Sequence, residues 1–487
     1  MKEGLTFWLM FSTLAAVFGT SLLFGYNIAV LNTPDTIIQA FYNRTYYERG
    51  GEYMDKKALE LLWAVTVAIY VGIGMIGAFT TSFVADKFGR KGGLMFNHTF
   101  ALIGTLLEGL CKVTAAPELL IVGRGFVGFN CGMTVGMVSL YITELAPKEL
   151  RGAIGACHQM ATTIGISLAQ ILGLREMIGG EELWPLLVAF CGIPALISLL
   201  CLPFCPESPR FLLLNKKDEE AATKALQRLR NHDDVSADIN EMKVEAADAA
   251  KRAKFAYIDL FRHPELRMPV LISVIIQVAQ QWSGINAVFF YAAKIFRNAG
   301  VDDDKVPYAI IGTGIINVLA TIVSMPLIER LGRRPLLIWP MGLMGISCIA
   351  ITISLSLQDT YAWMAYISII FVLVYVIGFA LGLGPIPQFV VAELFRQEPR
   401  AAVIGLAQFV NWTCNFILAL TFPFLQEGLQ EYTFLLFLVI IVACIVFLAF
   451  FLPETKNKTF EEIATHMRTL GKTSEVPPTN KEEESNL

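Results

Sequence analysis

Apolar residues run through this chain in long stretches separated by short polar punctuation. Twelve runs stand out, at about 7–31, 59–84, 94–112, 118–142, 152–175, 183–205, 268–296, 305–328, 336–357, 362–389, 401–425 and 430–452. A helix needs roughly 20 apolar residues to cross the hydrocarbon of a bilayer. The pattern therefore predicts an all-α membrane protein of twelve transmembrane helices. The first run is too long for a signal peptide and lacks a small-residue cleavage site, so it reads as a spanning helix.

Two polar stretches are long. Asn32 to Ala58 joins the first two helices, and Pro206 to Glu265 splits the chain near its middle. Within the second, Lys216 to Phe261 is rich in Ala, Glu, Lys and Leu and predicts short amphipathic helices lying in water against the membrane part. The tail beyond Phe460 has the composition of a disordered segment. The expected division is a six-helix bundle over 1–205, a helical linker over 206–266, a second six-helix bundle over 267–452 and a tail over 453–487.

Composition agrees with a bilayer as solvent: 55% of the 487 residues are hydrophobic and 16% charged, against about a quarter charged in soluble domains. The net charge of −4 argues for no nucleic-acid partner. Its distribution says more. Lys87, Arg90, Lys91, Lys148, Arg151, Arg330, Arg333, Arg334, Arg396 and Arg400 crowd the loops of one side, whereas Glu176–Glu182 and Gln426–Glu431 on the other carry no Lys or Arg. The positive-inside rule then places both termini and the linker in the cytoplasm. The first long loop falls outside and offers Asn43-Arg44-Thr45 as a glycosylation sequon. Asn411-Trp412-Thr413 and Asn457-Lys458-Thr459 match the same pattern at inaccessible positions. The nine cysteines sit in or beside apolar runs, with no CxxC pair and no ligand spacing, and read as small buried hydrophobes.

The two halves repeat one another. Asp86-Lys87-Phe88-Gly89-Arg90-Lys91 returns as Glu329-Arg330-Leu331-Gly332-Arg333-Arg334. Glu144 through Arg151 returns as Glu393 through Arg400, and Pro206-Glu207-Ser208-Pro209 as Pro453-Glu454-Thr455-Lys456. Three motifs in one order at an almost constant offset, after the second, fourth and sixth helix of each half, predict two parallel six-helix bundles. A solvated positive-inside loop would account for the arginines but not for the acids beside them. Arg90, Glu144, Arg151, Glu207, Glu329, Arg333, Glu393, Arg400 and Glu454 are therefore candidates for a gate of ion pairs within and between the halves, where a few kcal/mol suffices to shift a two-state balance.

The apolar runs hold an unusual number of uncharged amides: Gln159 and Gln170 in the fifth; Gln277, Gln280, Gln281 and Asn286 in the seventh; Asn317 in the eighth; Gln388 in the tenth; Gln408, Asn411 and Asn415 in the eleventh. Polar side chains in spanning helices face inward and mark a pathway. An amide offers two donors and an acceptor without charge, which suits a ring of hydroxyls better than an ion or an acid. Ser283 and Gly284 weaken the seventh helix beside its glutamines, and Pro385 and Pro387 with Gly382 and Gly384 break the tenth. Interrupted helices near the midplane are where carriers bind and bend. Among the aromatic residues, Phe289, Tyr291, Phe379 and Trp412 are candidates to stack on the apolar face of a sugar ring or to close over it, whereas Phe290 by itself reads as core or lipid-facing packing.

Taken together, Gly89-Arg90-Lys91, Glu144 through Arg151, Pro206 through Arg210, Gln280 through Asn286, Gly332-Arg333-Arg334, Gly384 through Pro387, Asn411 through Asn415 and Pro453 through Lys456 resemble the sugar porters of the major facilitator superfamily, and more closely the animal facilitative hexose transporters. The resemblance covers essentially the whole chain. It implies that Gln159, Gln280, Gln281, Asn286, Asn317, Asn411, Trp412 and Asn415 line a hexose site and that Tyr291 belongs to a seventh-helix gate. It also implies that the acid–arginine clusters lock the outward-open state. Gln388 stands where glucose-preferring members carry Trp, Gly382-Leu383-Gly384-Pro385 departs from their Gly-Pro-Gly-Pro, and Ala380 replaces an acid. Asn43 through Tyr47 and Val301 to Tyr308 look like the fructose-transporting branch; His158-Gln159 and Asn411 through Thr413 look like the glucose-preferring one.

Proton-driven sugar porters carry an acid in the first helix. Here Gly25-Tyr26-Asn27 has an amide, leaving Arg124 without a titratable partner at that position, so uncoupled flux of fructose, glucose or both is expected. A proton-coupled symporter and a non-transporting sugar sensor are the alternatives. Glu108, near the outer end of the third helix, is expected to pair with Lys112 one turn on and snorkel to the interface. An enzyme would need a dyad or metal cluster that the five scattered histidines do not provide. The expectation is a plasma-membrane carrier whose partners are a small hexose and lipid, with no cofactor.

Overall fold

A computed structural model describes residues 5–147, 150–250, 257–358, 360–456, 458 and 462–463. Among the described residues nine stretches are long and apolar enough to cross a membrane. The last of them, Ala402–Phe451, holds two helices that turn back on each other at Gln430, where φ is +48°. Arg90–Leu110 and Arg151–Leu172 are spanning helices whose apolar character is diluted by buried polar residues: Asn97, His98 and Glu108 in one, Thr162, Thr163 and Gln170 in the other.

The twelve spans are α1 (Phe7–Ala29), α2 (Lys56–Phe88), α3 (Arg90–Leu110), α4 (Pro117–Leu145), α5 (Arg151–Leu172), α6 (Trp184–Phe204), α7 (Pro264–Asn298), α8 (Val306–Leu331), α9 (Arg333–Leu357), α10 (Met364–Glu393), α11 (Gln397–Leu429) and α12 (Thr433–Phe451). They form the two six-helix bundles of the major facilitator fold. Without a hydrophobic drive between helices in lipid, close approach rests on small residues. α2 and α4 illustrate this: a Cβ at Gly132 would lie 1.8 Å from the Gly74 carbonyl oxygen.

The loop 32–58 contains a helix, Asp35–Gly50, that its polar composition did not announce. Pro34 precedes it, Asp35 places an acid in its first turn, and Gly51 closes it at φ +78°. Asn43 of the sequon lies on this helix, half-buried, its Oδ1 accepting the Met54 N–H at 2.9 Å. Asn411 lies within α11, whereas Asn457 and the tail from residue 464 lie outside the described residues.

The linker folds into Pro209–Leu214, Glu219–Arg230 and Ser236–Ala250, closed around Leu213, Ala222, Leu226, Val235 and Ile239. It docks on the first bundle. Arg230 donates to the Leu145 carbonyl at 2.8 Å, Thr6 to that of Leu229 at 2.6 Å, and the Arg228 guanidinium lies 3.4 Å over the Trp8 ring.

The bundle has two unlike ends. At the end opposite the repeated motifs, hydrogen bonds and ion pairs cross between the halves. Asn32 donates to the Phe289 carbonyl and accepts from the Ala293 N–H, both at 2.9 Å. Arg297 grips Asp35 at 2.9 and 3.0 Å, Lys294 approaches Glu60 at 3.9 Å, and Gln170 of α5 donates to Thr313 of α8 at 3.2 Å. At the motif-bearing end the Arg90–Glu144 and Arg333–Glu393 pairs each stay within one half. The molecule is closed at the first end.

Candidate binding site

The sequence breaks α7 between Trp282 and Ile285, where Gly284 sits at φ +95° with the Phe437 ring 2.5 Å from where a Cβ would stand. A side chain there would be strained by the backbone and blocked by the ring. α10 breaks between Leu381 and Ile386. Each break frees backbone carbonyls, and buried carbonyls need donors. Tyr375 supplies its hydroxyl to the Ser283 carbonyl. Gln280 supplies its amide N–H to the carbonyls of Leu383 at 2.7 Å and Gly384 at 3.2 Å. The two interruptions are thus tied together by one glutamine.

That anchoring leaves the Gln280 carbonyl oxygen facing α11, where Asn411 is the hub. Asn411 Nδ2 donates to Gln280 Oε1 at 2.5 Å and Gln277 Oε1 at 2.7 Å, and its Oδ1 accepts from Gln281 Nε2 at 3.0 Å. Gln281 Oε1 accepts in turn from Asn286 Nδ2 at 2.5 Å. Five amides from α7 and α11 form one uncharged network. Gln277 Nε2 and Asn415 Oδ1 have no partner among the described residues. Amide edges already held in place and short of partners are what a polyhydroxylated ligand can complete.

The other candidates are placed apart. Trp412 is 5% exposed and lies across the seam to the first half, its ring 6.3 Å from that of Phe24, with Gly74 leaving the space it fills. Gln159 on α5 is half-buried and Asn317 on α8 is buried, and neither side chain joins the network. Gln388 is exposed and accepts from Gln408 Nε2 at 3.1 Å, an amide bridge from α10 to α11 outside the cluster. His158 and Tyr375 entered no candidate set. His158 ties α5 to α1 through Ser21 at 2.7 Å; Tyr375 reads as one more aromatic in an apolar run until the α7 break places a bare carbonyl before it.

Tyr291 is buried at a kink of α7 (φ −132°, ψ 21°). Its hydroxyl donates to the Ala419 carbonyl at 2.7 Å and its ring stacks on Phe422 at 5.3 Å. Normal helical bonding would join the Ala293 N–H to the Phe289 carbonyl. At this kink the Asn32 amide takes both groups instead.

The repeated motifs form two near-copies of one cluster. Arg90 meets Glu144 through two parallel bonds of 2.8 and 2.9 Å, and Ser208 also donates to Glu144. Arg333 meets Glu393 at 2.8 and 3.2 Å, and Thr455 donates to Glu393 at 2.5 Å. Glu207 and Glu454 correct the expected picture. Glu207 accepts the backbone N–H groups of Arg90 and Lys91, both at 3.0 Å, and Glu454 those of Arg333 and Arg334 at 2.9 and 3.1 Å. They cap the first turns of α3 and α9, where unpaired N–H groups and the helix dipole favour an anion. Burial works to raise the Glu454 carboxyl, but bonds from the backbone of Arg333, Lys456, Arg334 and Thr455 hold it below its ordinary value. Arg151 is exposed, Arg400 donates to the Phe395 carbonyl at 2.9 Å, and the Glu329 side chain lies outside the described residues.

In the first half Arg124 donates to the Asn27 side chain and carbonyl, both at 3.1 Å, and lies 4.5 Å over the Tyr70 ring. The expected Glu108–Lys112 pair does not form. Glu108 is 0% exposed because α3 and α4 close on each other at Gly104 and Gly123, where a Cβ on Gly123 would meet Glu108 Cγ at 2.6 Å. Lys112, beyond the end of α3, reaches the Glu181 carbonyl at 2.5 Å.

Residues 12–467 match the family model described as Sugar (and other) transporter. The chain is 44% identical over 484 residues to human "Solute carrier family 2, facilitated glucose transporter member 5", covering 99% of this chain and 96% of that protein. It is 45% identical over 461 residues to member 3 from dog, covering 95% and 92%. The inward-open xylose transporter XylE of E. coli shares the fold at a TM-score of 0.77 and 23% identity, over 94% of this chain and all of that one. These relatives are carriers and not enzymes. The chain belongs to the Sugar (and other) transporter family, among the animal facilitative hexose transporters.

Proposed function

We propose that the chain moves fructose, glucose or both down their gradients by alternating access, without a coupling ion. The observation that carries this reading is the uncharged amide network centred on Asn411, set where α7 and α10 are broken. Gln280, Gln281, Asn286 and Asn411 contact the sugar directly, Asn415 and Trp412 flank it, and Gln159, Asn317 and Gln388 join as the pathway closes around it. The pairing of Arg124 with neutral Asn27 supports uniport, since no first-helix acid is there to titrate.

The motif-bearing end and both termini face the cytoplasm in this reading, in the plasma membrane, with Asn43 glycosylated outside. Residues 1–205 and 267–452 rock against each other, with 206–266 and 453–487 on the cytoplasmic face. Arg90, Glu144, Glu207, Arg333, Glu393 and Glu454 hold the cytoplasmic ends of each half. Arg151, Glu329 and Arg400 engage across the halves when that side shuts, and Tyr291 closes the outer side.

Uptake by purified protein in liposomes, with and without an imposed pH gradient, tests the proposal. Equilibrating, pH-gradient-independent hexose flux is expected; concentrative uptake would overturn uniport. Gln388→Trp is expected to raise the glucose-to-fructose ratio by putting a bulky ring where a smaller amide now bridges to Gln408, and an unchanged ratio refutes the selectivity argument.

A further inference from the structure

The outer closure contains a charged element that the hexose site does not use. Arg297, in the last turn of α7, makes a two-bond contact with Asp35 of the Asp35–Gly50 helix, at 2.9 and 3.0 Å. Asp303 braces the same guanidinium at 3.1 Å from the loop that follows α7. The side chains are only 11% exposed for Asp35 and 29% for Arg297. The fork geometry fixes orientation as well as distance. The pair bridges the two halves, 262 residues apart in the chain, less than two turns beyond the kink at Tyr291.

The Tyr291 kink is the point at which α7 can bend. Asn32 already occupies the hydrogen-bonding groups freed there, so the segment beyond the kink is held against the first half by its backbone at one level and by its charge at the next. Opening the outer side requires Arg297 to leave Asp35. No motif-side ion pair among those described spans the halves in this state. The balance between outward- and inward-facing forms therefore depends on this pair on one side and on the cytoplasmic clusters on the other.

We propose that Asp35 and Arg297 are positioning residues for transport: an outer latch that holds the end of α7 over the closed pathway and biases the carrier towards the inward-facing form. The proposal rests on the alternating-access reading.

Thr313 provides a reporter, because it is buried at the α5–α8 seam that closes with the outer side. In Thr313→Cys protein, labelling by a membrane-impermeant maleimide added outside reads the outward-open fraction, with the unsubstituted protein as background. Asp35→Asn, which keeps an oxygen for the Thr36 N–H it now bonds at 2.6 Å, and Arg297→Gln are each expected to speed labelling about fivefold, the scale for losing a partly exposed ion pair. The double exchange Asp35→Arg with Arg297→Asp, made together with Asp303→Asn so that the new carboxylate faces no like charge, is expected to return the rate towards that of the parent. A merely structural role would lower the thermal midpoint of each single variant and leave its labelling rate at that of the parent. Should the single variants fold poorly, the parent labelled in low and high salt gives the same reading, since screening weakens the pair and speeds labelling. Labelling unchanged by both substitutions and by salt, with hexose flux intact, overturns the latch and leaves uniport standing. A parent protein that carries no hexose overturns the transport reading instead.

Discussion

Asn411→Asp tests the amide network at its hub. The substitution keeps shape and volume but replaces the Nδ2 donor by an oxygen facing Gln277 Oε1 at 2.7 Å and Gln280 Oε1 at 2.5 Å. Gln277 can answer by turning its amide over, because its Nε2 has no other partner among the described residues. Gln280 cannot do so freely. Its Nε2 is committed to the Leu383 and Gly384 carbonyls, and a flip gives up both bonds and leaves two buried carbonyls bare. For the ionised carboxylate, which has no proton to donate, the forced choice costs about 2 kcal/mol at about 1 kcal/mol per neutral hydrogen bond, and burying the new charge adds to it. If the network is the sugar's binding surface, that loss appears as a fall of at least roughly 30-fold in Vmax/KM. Asn411→Ala removes the same bonds without the opposed oxygens and is expected to fall less, near tenfold. Zero-trans hexose uptake into liposomes measures both, with thermal unfolding in detergent as the control for folding. Asp at or above the Ala variant would refute the assigned amide orientations. Both variants at wild-type Vmax/KM would remove the network from the binding site.

Gly74→Ala places a methyl 2.6 Å from Trp412 Cζ3 and 3.1 Å from the Gly128 carbonyl oxygen, so the indole must leave the α2–α11 seam; a red-shifted tryptophan emission with a KM raised several-fold is expected, and unchanged emission refutes the placement of Trp412. Glu454 has a carboxyl held below its ordinary value of 4.5 by backbone N–H groups, so its contribution to stability is present above that value and is lost as the pH falls through the lower folded-state value. The thermal midpoint of the wild type should therefore drop more steeply below about pH 4.5 than that of Glu454→Gln, which keeps an acceptor but has no charge to lose. Parallel midpoint curves refute the capping role.

The sequence by itself determined the elements and their punctuation. Run length fixes which segments cross a bilayer, the repeated motifs fix the division into halves, and Gly284 and the Gly382–Pro387 stretch break α7 and α10 wherever those helices pack, because glycine and proline act through the backbone itself. The amides were legible as a class for the same local reason, an uncharged polar group in an apolar run. The tertiary structure alone decided which of them meet. Asn411 gathers Gln277, Gln280 and Gln281 because α11 lies against the break in α7, while Gln159, Asn317 and Gln388, equally visible in the sequence, point elsewhere in this state. Glu108 has Lys112 one turn away in the chain, but the α3–α4 approach at Gly104 and Gly123 encloses it. Glu207 and Glu454 looked like partners for arginine side chains, but they sit above helix N-termini whose bare N–H groups are nearer. Arg297 and Asp35 carry no motif in the chain. Their meeting depends on the relative position of the two halves, which no local pattern encodes and which transport itself must change.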